Sequence, residues 1–128
     1  MKILKFLLSF YKSLIVFLII FILSTLPSKD VDTVNWFSFE NSDKVAHAAM
    51  YFLLTFIIIR DILKSGLEIP PLKIFIYSAV FTFLYGLTIE IIQGVFTDSR
   101  SADVYDQVSN TVGIGFAVLF FLIFRKPK

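Results

Sequence analysis

Three short stretches hold the side chains able to do chemistry in this chain. "SDKVAH" (42–47) sets Asp43, Lys44 and the single histidine, His47, at the mouth of an apolar run; "EIIQ" (90–93) sets Glu90 and Gln93 inside another; "RSADVYDQVSN" (100–110) carries Arg100, Asp103, Asp106 and Asn110. A glutamate in apolar surroundings beside an imidazole suits general acid or base work, so His47 and Glu90 are the candidate catalytic pair. Lys44 and Arg100 could clamp a phosphate, and Gln93, Asp103, Asp106 and Asn110 complete the candidate substrate-binding set. Asp43, Glu90, Asp98, Asp103 and Asp106 outnumber those two bases at this mouth, so an anionic head group would want a divalent metal between. Asp43, His47 and Glu90 are metal candidates, as are His47 and Glu90 with Asp103 or Asp106, although no recognised ligand spacing joins them. Ser42 and Ser101 read as helix caps rather than nucleophiles.

The elements that must carry these groups are set by composition. Of 128 residues, 57% are hydrophobic and 17% charged, and the mean hydropathy is +0.82. Runs such as "LIVFLIIFIL" (14–23) are apolar all the way round, whereas a soluble bundle needs a polar face on every helix. The chain therefore reads as an all-α integral membrane protein. It has no cysteine, which removes disulfides, thiolate metal sites and thiol nucleophiles. Nucleic-acid binding is excluded, because no basic cluster accompanies a soluble surface.

Uncharged stretches cover 13–28, 45–59, 74–89 and 107–124, and each becomes a span if its flanking lysine and arginine stems snorkel to the interface. The expected architecture is a single domain over 1–128, a four-helix bundle with helices near 6–26, 43–61, 72–97 and 102–124. "MKILKFLLSFYK" before an apolar run resembles a signal peptide, but "LSTLPSKD" offers no small-residue cleavage site, so the first helix is read as retained. Lys2, Lys5, Ser9 and Lys12 share one stripe of it, as snorkelling lysines would.

The basic residues set the orientation. Lys2, Lys5, Lys12, Arg60, Lys64, Lys73, Arg125, Lys126 and Lys128 fall on one side, and only Lys29, Lys44 and Arg100 on the other, so both termini should be cytoplasmic (N-in/C-in). The 24–42 loop and the 97–101 turn are then outside, with Trp36, Phe37 and Phe39 suited to the interfacial aromatic belt as a lid. Gly66 can end the second helix and Pro70-Pro71 precede the third. In a bacterium the place is the cytoplasmic membrane, multi-pass.

Depth follows from a rise of about 1.5 Å per residue: His47 lies about 9 Å in from Asn41, Glu90 about 10 Å from Thr97 and Asp106 about 8 Å from Ser101. They should share one layer. Asp43, His47 and Tyr51 lie on one face, Glu90 and Gln93 on another, and Asp103, Asp106, Asn110 and Gly113 on a third. Ionisable groups facing lipid cost about 2.5 kcal/mol or more near the centre, so these faces should converge inside the bundle. Gly86 and Gly94 about Glu90, and the ridge Ser109, Gly113 and Ala117, permit close approach there.

These residues together, "DKVAHAAMYFLL" followed by "YGLTIEIIQGVFTDSRSADVYDQVSNTVGIGFA", resemble the VanZ-like family of small bacterial membrane proteins. The pattern D-K-x-x-H-x-x-x-Y, E-x-x-Q, an arginine, an aspartate and N-x-x-G falls on Asp43, Lys44, His47, Tyr51, Glu90, Gln93, Arg100, Asp103, Asp106, Asn110 and Gly113, over about two thirds of the chain. The resemblance implies a role in the cell envelope like that of the teicoplanin-resistance protein for which the family is named. It brings no established catalytic residue.

Three readings of the polar layer follow. It fixes helix register by hydrogen bonding; or it binds or turns over a membrane lipid or lipid-linked envelope precursor; or it relays a proton or ion, with Glu90 as the relay. A carrier built from four short helices would have to oligomerise, and no polar stripe is expected in the cytoplasmic half of helices two to four.

Overall fold

The computed structural model describes residues 1–25, 42–96 and 103–125. Five helices make up almost all of this, with no strand among the described residues: α1 (Lys2–Ser9), α2 (Tyr11–Thr25), α3 (Ser42–Lys64), α4 (Pro71–Phe96) and α5 (Val104–Phe124). Three of them, α3, α4 and α5, are long and apolar enough to cross a membrane. At about 1.5 Å per residue, even the 21 residues of α5 reach about 32 Å, a little more than a hydrocarbon core.

The first apolar segment, expected as one helix from 6 to 26, is two helices bent by 43° about Phe10. Neither proline nor glycine causes the bend. Phe10 leaves the helical region (φ −104°, ψ 5°), and its N–H donates to Leu7 O in a tightened last turn. Ser9 Oγ donates back to Lys5 O, a contact that bends helices. The split also separates two kinds of sequence: α1 sets Lys2, Lys5 and Ser9 against an apolar face and buries nothing, while α2 is apolar nearly all round. At the other junction Gly66 adopts φ 79°, which ends α3, and Pro71 opens α4, where its missing N–H costs no helical bond.

α3 and α5 are the most intimate pair. A Cβ on Gly113 would lie 2.0 Å from Ala48 O, so the backbones meet where only glycine fits. α4 packs across both, with Ile20, Tyr51, Leu54, Tyr85, Ile89 and Ile114 in one apolar cluster and Ile59, Ile74 and Phe75 in a second towards the Lys64 end of α3. α2 is pinned to this group at three heights. Ser13 Oγ donates to Asp61 Oδ2 (2.7 Å), Tyr85 Oη to Phe17 O (2.7 Å) and Gln93 Nε2 to Ser24 O (2.6 Å).

The distribution of side chains is the reverse of a soluble core. Val45, Leu53, Ile76, Phe81, Val112 and Leu119 are exposed, while Thr55, Asp61, Ser78, Thr82, Glu90 and Asn110 are buried. Hydrocarbon gains nothing from hiding leucine but penalises exposed polar groups, so this pattern belongs to helices solvated by lipid.

Candidate functional site

At the end of α3 that begins with Asp43, the first turns of α3 and α5 face the last turns of α4. Lys44 is the hub. Its ammonium donates to Asp43 Oδ2 (3.1 Å), Asp103 Oδ2 (2.7 Å) and Asp106 Oδ1, which uses all three of its donors. Asp103 is the N-cap of α5, its Oδ1 accepting from Tyr105 N (2.8 Å), and its own N–H donates to Glu90 Oε2 (3.1 Å). The hydrogen bond from Lys44, followed by that from the Tyr105 N–H, holds the Asp103 carboxyl below the usual carboxylate range.

His47 sits one turn deeper, 8% exposed. Its Nδ1 is 3.0 Å from Asn110 Oδ1. Asn110 Nδ2 donates to Gln107 Oε1 (3.2 Å), and Gln107 Nε2 donates to Phe83 O (3.2 Å). Because the chain of amides ends on a backbone carbonyl, Asn110 Oδ1 can only accept, and the neutral ring carries its hydrogen on Nδ1. The Nε2 lone pair is left facing Asp106 Oδ2 at 3.7 Å. Glu90, 4% exposed, completes the layer: Oε1 is buried without a hydrogen-bond partner. Tyr51, one turn beyond His47, likewise buries its hydroxyl unpaired. One ligand atom each from His47, Glu90 and Asp106 lie within 4.8 Å of one another.

A family model described as VanZ/LLP1 matches residues 6–125. The chain belongs to the VanZ/LLP1 family. The match takes in α2 and part of α1, beyond the two thirds of the chain on which the sequence resemblance rests. No curated protein and no solved structure matches the chain.

In this VanZ/LLP1 chain Lys44, His47, Glu90, Asp103, Asp106 and Asn110 meet in one layer, on the faces that helical spacing predicts, although α5 begins at Val104 and so carries Asp106 in its first turn. Gln93 turns aside to the Ser24 carbonyl and helps hold α2. Asp43 stays at the rim with its side chain 64% exposed, so Asp106 rather than Asp43 stands with His47 and Glu90. Lys44 is committed to three carboxylates, which leaves its ammonium no donor for a phosphate. Gly86 is buried under Asn110 and Gln107, whereas Gly94 is exposed. Arg100 and the Trp36 loop lie outside the described residues.

Sequence reasoning missed two features. Gln107, four residues after Asp103 and three before Asn110, stands on the face already singled out and was open to detection by spacing. The other is a line of buried polar side chains beyond the layer: Thr55 Oγ1 donates to Thr82 Oγ1 (3.1 Å), Ser78 is fully buried, and Ser13 and Asp61 pair near the far end. The expectation of no polar stripe in that half is therefore corrected. Thr82 returns its hydroxyl hydrogen to the Ser78 carbonyl four residues back and Thr55 shares its own between the Tyr51 carbonyl and Thr82 Oγ1, so both hydroxyls are satisfied inside apolar helices.

Proposed function

We propose that the chain is a multi-pass protein of the bacterial cytoplasmic membrane whose polar layer binds or processes the head group of a membrane lipid or lipid-linked envelope precursor. In this reading α1 and α2 together form a fourth span, residues 1–128 act as one four-helix domain, both termini are cytoplasmic and the layer opens outward. The observation that carries it is the convergence of Glu90, His47, Lys44, Asp103 and Asp106 from three apolar helices at one end of the protein. Ionisable groups are costly at such depth and mark function there by default. Glu90 Oε1, buried without a partner, and the free Nε2 of His47 are the two groups the network leaves to act on a ligand, as acceptors or as general bases. The implied physiological role is in the cell envelope, with glycopeptide resistance of the teicoplanin type as the phenotype.

The buried line through Thr55, Thr82, Ser78 and Asp61 favours a second reading, a proton- or ion-coupled carrier, because polar groups continue past the layer.

Lipids and cell-wall precursors are compared by mass spectrometry in cells making the wild type, Glu90→Gln, His47→Ala or no protein, with membrane levels matched. The lipid reading expects the wild type alone to shift one species and Glu90→Gln to match cells without the protein. Four identical profiles from folded proteins would overturn it and leave the layer a register or transport feature.

A further inference from the structure

We propose that His47, Glu90 and Asp106 bind one divalent first-row transition-metal ion, Zn²⁺ in preference to Mg²⁺ or Ca²⁺. The inference uses the layer described above but stands on its own geometry, not on the lipid reading. Three helices deliver one ligand atom each, and these atoms lie within 4.8 Å of one another. Zinc bonds to nitrogen and oxygen of about 2.0–2.2 Å would draw them to about 3.4 Å apart in a tetrahedron. The broad terminal torsions of Asp and Glu allow carboxylates to turn by that much. His47 Nε2 and Asp106 Oδ2 are already 3.7 Å apart.

Two independent observations say that the centre of this triangle wants a cation. The first is the imidazole. In the neutral ring, with Nδ1–H committed to Asn110 Oδ1 and Asn110 held in turn by Gln107, the Nε2 lone pair faces a carboxylate oxygen 3.7 Å away. Anchoring of the remote ring nitrogen by an oxygen acceptor is the arrangement that orients histidine as a metal ligand. The second is Glu90, 96% buried by its 4% exposure, whose Oε1 has no hydrogen-bond partner while Oε2 takes the Asp103 N–H. An unpaired buried carboxylate oxygen is costly unless a proton or a cation meets it.

The neighbouring charges point the same way. Among the described residues the carboxylates of Asp43, Asp103 and Asp106 share the ammonium of Lys44, and Glu90 adds a fourth carboxylate outside those ion pairs. That ammonium sits on Asp106 Oδ1, which leaves Oδ2 turned towards the imidazole. The donor set of one imidazole nitrogen and two carboxylate oxygens selects the ion class: imidazole suits zinc and its neighbours, whereas Mg²⁺ and Ca²⁺ prefer oxygen throughout. Three protein ligands also leave a coordination position open, to water or to an oxygen of a bound anion. An anionic head group could therefore enter this acidic mouth without displacing Lys44.

The test uses the full chain purified in detergent, stripped with EDTA and titrated with ZnCl₂, MgCl₂ or CaCl₂. Bound metal is counted by mass spectrometry after desalting, and affinity is read by calorimetry. The proposal expects one zinc per chain, a rise in Tm with zinc alone, and binding at least tenfold weaker in Glu90→Gln and in His47→Ala. Glu68→Gln, an exposed acid at the far end, should bind as the wild type does. Glu90→Gln is nearly isosteric, and if it or His47→Ala fails to fold, Co²⁺ bound to the wild type provides the second readout: its visible spectrum should report a nitrogen and oxygen site of low coordination number. Zinc bound equally by wild type and both variants, no zinc retained by folded wild type, or tighter binding of Mg²⁺ each overturns it. Zinc binding with unchanged lipid profiles would leave this inference standing and remove the lipid reading, so the two fail separately.

Discussion

Replacing Gly113 by alanine puts a methyl group into the backbone of α3. The added Cβ would lie 2.0 Å from Ala48 O, 2.8 Å from its carbonyl carbon and 3.0 Å from its Cα. Carbon–oxygen contacts of this kind begin near about 3.3 Å, so the two helices must part by about 1.3 Å at this point. All three atoms are backbone, so no side chain can swing away. Overpacking of this sort costs about 1–3 kcal/mol, which at this length is about 4–12 °C in Tm. The separation also reaches the polar layer, because His47 immediately precedes Ala48 and Asn110 lies one turn before Gly113; a bond of 3.0 Å between them does not survive such a shift. The assay is thermal unfolding in detergent, with Gly115→Ala as the partner experiment. A Cβ at Gly115 meets nothing within 4 Å, and alanine is the better helix former by about 1 kcal/mol, so that variant should match or exceed the wild type. Equal melting of Gly113→Ala and wild type, or a larger loss from Gly115→Ala, would refute the close approach of α3 and α5.

Ser13→Ala removes a hydrogen bond to a buried carboxylate and should cost about 1.5–3 kcal/mol, whereas Tyr85→Phe removes one to a neutral carbonyl and should cost about 1 kcal/mol; melting in the opposite order counts against the Ser13–Asp61 clamp. Lys44→Met should lower Tm and Lys44→Arg restore most of the loss, by less than the about 3–5 kcal/mol of a fully buried pair, since the Lys44 side chain keeps 24% exposure. A neutral outcome would show that the three carboxylates do not need the ammonium. The chain has no cysteine, so single cysteines report topology directly: Ser99→Cys should label in intact cells and Leu67→Cys only once the inner face is opened. The reverse pattern overturns the N-in/C-in arrangement.

Fold class was legible in the chain because hydropathy and helical period are local properties. Uninterrupted apolar runs are read off residue by residue, and they coincide with α3, α4 and α5. The layer was legible for a related reason: an ionisable side chain in lipid must face other protein, so His47, Glu90 and Asp106 had to converge once their depths agreed. The bend at Phe10 was not legible, since neither proline nor glycine marks it.

Partner choice was equally out of reach of spacing. Lys44 could have met a phosphate, Gln93 a substrate and Asp61 water; instead they meet three aspartates, the Ser24 carbonyl and Ser13. Composition and periodicity thus determine that this protein is helical, membrane-embedded and polar at one end. Which polar groups touch is decided by interhelical distances to within about 1 Å, the margin that separates a hydrogen bond from none. Those distances are set by contacts such as Gly113 on Ala48, between residues 65 positions apart in the chain, which exist only once the helices have packed.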